Sequence, residues 1–97
     1  TVVVKNRAIL AVEAIEGTDK AILRGGQLGN GDATVVKVAR PKQDMRFDIP
    51  TVGVDTIRTL IEARARCLAF EEMKTLLLDR EEVIAMADEA GIAIMVI

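Results

Sequence analysis

The chain has 97 residues, 51% of them hydrophobic, and its 13 Lys and Arg against 15 Asp and Glu give a formal net charge of −2. A chain of this length holds one core and therefore one domain, and its charge offers no general attraction to a polyanion, so any phosphate binding has to be local. With no histidine and a single cysteine, Cys67, the chain cannot supply Ser-His-Asp or Cys-His catalysis, a histidine proton shuttle, a Cys/His zinc site or an intrachain disulfide.

Taken from its start, "TVVVKNRAILAVEAIEG" reads as two β-rich runs, 2 to 5 and 8 to 14, forming a hairpin through Asn6 and Arg7. Asn tolerates φ > 0, and Arg fits the second turn position less well. Thr18 and Asp19 stand where a helix N-cap belongs, ahead of "KAILRGG", and Gly25-Gly26 with "GNGD" at 29 to 32 are expected to end that short helix. "ATVVKVA" (33 to 39) is β-branched and continuous, as a buried strand should be. It leads into "PKQDMRFDIPT", an irregular segment between Pro41 and Pro50 that is crowded with charge.

"VDTIRTLIEARAR" puts Ile57, Leu60, Ile61 and Arg64 at i, i+3, i+4 and i+7, an amphipathic helix whose apolar stripe ends on a charge. "CLAF" and "TLLL" read as two short buried strands separated by a turn at Glu71, Glu72, Met73 and Lys74. In "DREEVIAMADEAG", Asp79 fits an N-cap, Glu81 and Glu82 occupy the first turn where the helix dipole favours anions, and Gly91 fits the C-cap. "IAIMVI" closes the chain as a wholly apolar strand that would suit a dimer edge. The order β-β-α-β-loop-α-β-β-α-β implies an α/β domain with a mixed sheet flanked by helices.

Two polar clusters follow β-rich runs, where α/β sheets build their sites. In "VEAIEGTD", Glu13, Glu16 and Asp19 give three carboxylates, Gly17 permits close backbone approach, and Thr18 adds a hydroxyl at a helix start. Such a turn can hold a hard cation through oxygen, or simply cap the helix with its glutamates in water. From Lys37 to Thr51, Lys37, Lys42 and Arg46 are cations suited to phosphate, and Asp44 and Asp48 are carboxylates suited to a metal or a proton. Thr51 and Gly53 lie near the next helix start. The alternative for this segment is a solvated surface with Arg46 and Asp48 paired, worth only about 0–1 kcal/mol.

Other residues narrow the field. Phe47 and Phe70 are the only aromatics, so base stacking has little to work with and no nucleic-acid partner is expected. Met45, Met73, Met86 and Met95 read as gap-fillers, and Cys67 as a small buried hydrophobe. The lone thiol makes a reducing cytoplasm the default location, and no apolar run approaches the roughly 20 residues of a membrane span. A start at Thr1 in a strand, without a methionine, suggests a piece of a longer protein.

"LAVEAIEGTD", then "VKVARPKQDMRFDIPTVGVDTI", then "TLLLDREEVIAMADEAGI" together resemble the carboxy-terminal domain of the two-domain UDP-2,3-diacylglucosamine pyrophosphatase family of lipid A biosynthesis. The resemblance covers nearly the whole chain. It implies a three-layer α/β sandwich with a mixed sheet and a cytidine-deaminase-like topology. The zinc ligands of deaminase chemistry are missing, so fold analogy carries no deaminase function.

The activity implied is hydrolysis of the pyrophosphate bond of UDP-2,3-diacylglucosamine to 2,3-diacylglucosamine 1-phosphate and UMP, with a divalent cation such as Mg2+. The family's Arg-x-Asp-x-Pro segment corresponds to Arg46, Phe47, Asp48, Ile49 and Pro50, which makes Asp48 the expected catalytic residue. The charge of a diphosphate and a chain that offers only oxygen ligands make Glu16, Asp19 and Asp48 candidate metal ligands or base and Lys37, Lys42 and Arg46 candidate phosphate contacts, while Thr18 and Gly53 match family motif positions and are candidate substrate contacts. It implies an absent amino-terminal Rossmann-like domain, residues 1–97 being the carboxy-terminal catalytic domain. Peripheral contact with the inner membrane through the lipid substrate is a further expectation. A second reading keeps the chain as a non-catalytic nucleotide- or phosphate-binding or assembly module.

Overall fold

In the computed structural model the described residues are 1–39, 50–71 and 75–97. The chain opens with β1 (Val2–Lys5) and β2 (Ala8–Val12), an antiparallel hairpin. Asn6 and Arg7 both take positive φ, 52° and 66°, as a tight two-residue turn requires. Arg7 thus accepts the position that its side chain disfavours. β2 stops at Val12 rather than at residue 14, and the Glu13 amide donates to the Thr1 carbonyl at 2.8 Å.

Next comes α1 (Thr18–Gly29), which runs straight through Gly25 and Gly26 and ends at Asn30 in the left-handed region. The glycine pair therefore does not stop the helix. Its function is close approach: a Cβ on Gly25 would sit 2.5 Å from the Val3 Cβ, and one on Gly26 would sit 2.6 Å from the Ala63 carbonyl oxygen. The helix starts from Gly17 at φ 93°, so neither Thr18 nor Asp19 is its N-cap. A conformation that Gly adopts freely does the turning instead.

β3 (Thr34–Lys37) follows, then β4 (Thr51–Val52), α2 (Val54–Glu62), β5 (Cys67–Phe70), β6 (Leu76–Leu77), α3 (Arg80–Ala90) and β7 (Ala93–Val96). The main sheet has the order β2-β1-β3-β5-β7, with β1 antiparallel to both neighbours and β3, β5 and β7 parallel. The mixed sheet is the expected one. β6 does not join it: Leu76 and Leu77 pair in parallel with Thr51 and Val52, a short strand at the end of the segment expected to be irregular. Leu76 and Leu78 are half exposed, so "TLLL" is not a buried strand.

Arg64 also falls outside its expected helix, because α2 stops at Glu62 and Arg64 takes φ 58°. Its guanidinium donates instead to Asn30 Oδ1 at 3.2 Å. The ends expected for α3 hold in position, with Asp79 at the N-cap and Gly91 at the C-cap, but the Asp79 side chain makes no capping hydrogen bond and its backbone is left-handed at φ 51°. Met86 packs against the core, whereas Met95, on the last strand, is 54% exposed and fills no gap. Met45 and Met73 lie outside the described residues.

Strand alternation explains the core. Val3, Val35 and Leu68 stand in register across β1, β3 and β5 and point one way, where they join Ile22, Ile57, Leu60 and Val83 from the three helices. α1 packs on α2 and α2 on α3 along that face. The alternate residues Val2, Val36, Ala69 and Met95 are apolar as well. The second face, with Met95 exposed, carries none of the three helices among the described residues, and a mixed five-stranded sheet with three helices fits a three-layer α/β sandwich.

Candidate functional site

Chain direction collects the polar clusters. Each helix leads into the start of a parallel strand, α1 into β3, α2 into β5 and α3 into β7. Each helix must therefore begin at the end where those strands finish. The end of β3 at Lys37, the end of β5 at Phe70 and the helix starts at Gly17, Gly53 and Asp79 consequently share one end of the domain, and the antiparallel hairpin brings Glu13 to it through the pairing of Val2 with Val12. Open α/β sheets bind ligands at this end, outside the carboxyl ends of the strands.

The first cluster is tied together by hydrogen bonds. Thr18 Oγ1 donates to Glu13 Oε1 at 2.9 Å, which accounts for the hydroxyl without a capping role. Burial pushes the Glu13 carboxyl up, but its contacts with Thr1, whose amino group lies 3.4 Å from Oε1, and the Thr18 hydrogen bond outweigh it and hold the group below the usual glutamate range. Glu16 is gripped by Arg24, whose Nη2 donates to Oε1 at 2.5 Å while Nε donates to Oε2 at 3.3 Å. This two-point hydrogen bond is what lowers the Glu16 carboxyl and raises the Arg24 guanidinium. Arg24 Nη2 also donates to the Val12 carbonyl at 3.1 Å, which anchors the pair to the end of β2.

Asp19 sits exposed in the first turn of α1. A cation at Glu16 would have to displace Arg24, whereas Asp19 faces solvent. Among the described residues no three His, Cys, Asp or Glu side chains are grouped to hold a metal. Lys37 is the last residue of β3 and is half-buried. Beyond it, the Ala39 amide donates to Glu71 Oε1 at 2.6 Å, joining the exits of β3 and β5.

Gly53 is the N-cap of α2 with an extended backbone, and a Cβ placed there would meet only the Leu78 Cβ, at 3.8 Å. Neither φ nor packing demands glycine here, and the Gly53 carbonyl accepts the Ile57 amide at 3.3 Å as the first turn of α2 begins. Gly53 lines a cavity of about 480 Å³ with Thr51, Thr56, Arg58, Asp79 and Glu82. Lys42, Arg46 and Asp48 lie outside the described residues. The flanks of their segment, residues 37–39 and 50–53, are both at the site end.

Arg24, Glu71, Asp79 and Glu82 also belong to this region, although the sequence alone did not mark them as site residues. Glu71 could have been found as the polar residue directly after a strand parallel to β3. Arg24 follows Glu16 by eight residues, and no local pattern marks the pair, because their contact forms across the turn at Gly17.

The family model for the LpxI C-terminal domain matches residues 1–95. The chain is also 37% identical over 95 residues to UDP-2,3-diacylglucosamine pyrophosphatase LpxI of Caulobacter vibrioides, covering 90% of this chain and 34% of that protein. It thus spans about a third of the length of that relative. The match runs through the hairpin, all three helices and both polar clusters, and the chain belongs to the LpxI C-terminal domain family.

Proposed function

We propose that the chain acts as the catalytic domain of a longer pyrophosphatase that hydrolyses UDP-2,3-diacylglucosamine to 2,3-diacylglucosamine 1-phosphate and UMP. The observation that carries this reading is the 37% identity to the Caulobacter pyrophosphatase across 90% of the chain. The gathering of the polar clusters at the ligand-binding end of the sheet supports it.

In this reading water attacks a phosphorus of the diphosphate and the bridging P–O bond breaks, and Asp48 is the residue that orients the water and takes its proton. Lys37, Lys42 and Arg46 contact the phosphate oxygens, and the backbone at Gly53 and the Thr18 hydroxyl contact the substrate. Negative charge builds on the phosphate oxygens as the nucleophile arrives, so preplaced cations stabilise the transition state more than the ground state. Mg2+, when bound, supplies further neutralisation of the diphosphate. The oxygen-only donor set of a chain without histidine suits such a hard cation. Asp48, Asp19 and, if freed from Arg24, Glu16 would hold it.

No helix among the described residues is long and apolar enough to cross a membrane. A cytoplasmic location, with the lipid substrate presented at the inner membrane, is part of the proposal, as is an amino-terminal Rossmann-like domain that completes the substrate site. Asp48→Ala in the full-length protein should lower the rate of UMP release by roughly 10²–10⁴-fold, the usual contribution of a positioned acid or base. An unchanged rate would overturn the role of Asp48. The 97-residue domain alone should show little turnover, and full activity from it would remove the need for a second domain.

A further inference from the structure

Outside the polar clusters, the described residues form an apolar groove of about 590 Å³ between α3 and the sheet edge at β7. Phe70, Leu77, Ile84, Ile94 and Val96 line it, and Ile84 and Val96 are 39% and 56% exposed. Ile84 and Val96 are thus large aliphatic groups held open to water beside an edge strand, over a floor made by buried Phe70 and partly buried Leu77 and Ile94, an arrangement that marks a binding surface more often than a solvated one. The volume is that of a small-molecule site.

The groove has a direction. Arg80, at the start of α3, and Val96, in register with Phe70 at the end of β5, lie at its site end, and Asp88 with Ile92 lies at the other. From Arg80 to Asp88 the helix advances about 12 Å. The cation therefore stands at the end shared with Lys37, with an aliphatic channel leading away. Leu77 and Arg80 line the groove, while their chain neighbours Leu78 and Asp79 line the cavity at Gly53, so the apolar and polar spaces flank the same turn between β6 and α3.

We propose that this groove receives one acyl chain of the substrate, entering from the site end, with Arg80 beside the anionic head group. The inference rests on the reading of the substrate as UDP-2,3-diacylglucosamine. It assigns the discrimination of acylated from unacylated nucleotide sugar to α3 and β7. Each methylene taken from water into such a groove contributes about a factor of four in affinity, so substrate preference should climb with chain length until the groove is filled.

The test uses the full-length protein and two substrates, one with long acyl chains and one with short ones, followed by UMP release. Ile84→Asp and Val96→Asp place a charge in the groove at exposed positions that the fold tolerates, and Ile84→Trp fills it with an apolar group. The expected result is a loss of roughly tenfold or more in kcat/KM for the long-chain substrate, mainly through KM, with the short-chain substrate within about twofold of wild type. Equal effects on both substrates, or none on either, would overturn the groove while leaving the pyrophosphatase reading intact. If the wild-type protein releases no UMP from either substrate, the reading of the reaction fails and the acyl-chain assignment falls with it.

Discussion

Replacing Gly25 by alanine sets two known effects against each other, and the structure decides which wins. Alanine is favoured over glycine in a helix interior by about 1 kcal/mol, because glycine loses more backbone entropy. Against that, the new Cβ would lie 2.5 Å from both Cβ and Cγ1 of Val3, well inside an ordinary carbon contact. Val3 is 1% exposed and is fixed by strand pairs on both sides, so it cannot swing away.

Overpacking of this kind costs up to about 3 kcal/mol, which leaves a net destabilisation of about 2 kcal/mol. For a domain of this size that is a fall in Tm of about 8–16 °C. Gly29→Ala is the internal control, since its Cβ would meet the Leu10 Cδ1 at 2.5 Å, the movable tip of a partly buried side chain. Thermal unfolding followed by circular dichroism should show a large drop for Gly25→Ala and a change within about 1 kcal/mol for Gly29→Ala. A Gly25→Ala protein as stable as wild type would refute the close-approach account of α1.

Acid should weaken the first cluster. Glu13 and Glu16 both have carboxyls held below the ordinary value of 4.5, so their contribution is complete above that pH and fades as the pH falls through their lower folded values. Glu13→Gln should flatten the acid limb of a stability-against-pH curve, and an unchanged limb would assign it to other groups. Glu71→Ala removes the acceptor for the Ala39 amide and should cost about 1–3 kcal/mol, together with faster amide exchange at Ala39. By contrast, Arg58→Ala breaks an exposed pair with Asp55, and denaturant unfolding should move by less than about 1 kcal/mol.

Much of the architecture was legible because it depends on local periodicity. The Asn6-Arg7 hairpin, the buried run "CLAF" and the Gly91 bound of α3 follow from alternation, continuous apolarity and the left-handed C-cap that glycine favours, whereas Asp79 marks the start of α3 without a capping side-chain bond. The misreadings occur where a distant contact overrides a local rule. Gly25-Gly26 looks like a helix stop until Val3 and Ala63 arrive from elsewhere in the chain. "TLLL" looks buried until β6 is found pairing with β4 at the margin. Thr18 looks like a cap until its hydroxyl is found donating to Glu13.

For the site, the chemical inventory was already complete in the sequence. Without histidine or a second cysteine, only oxygen ligands, cations and backbone groups were available, and Glu16, Thr18, Asp19, Lys37 and Gly53 were visible as members of two separate clusters. It took the folded chain to bring the described members to one end of the domain, to set Glu16 against Arg24, and to open an apolar groove beside them. The reason is that composition fixes what groups a chain can offer, whereas proximity between residues far apart in sequence is set by strand order and helix direction, which no local pattern encodes.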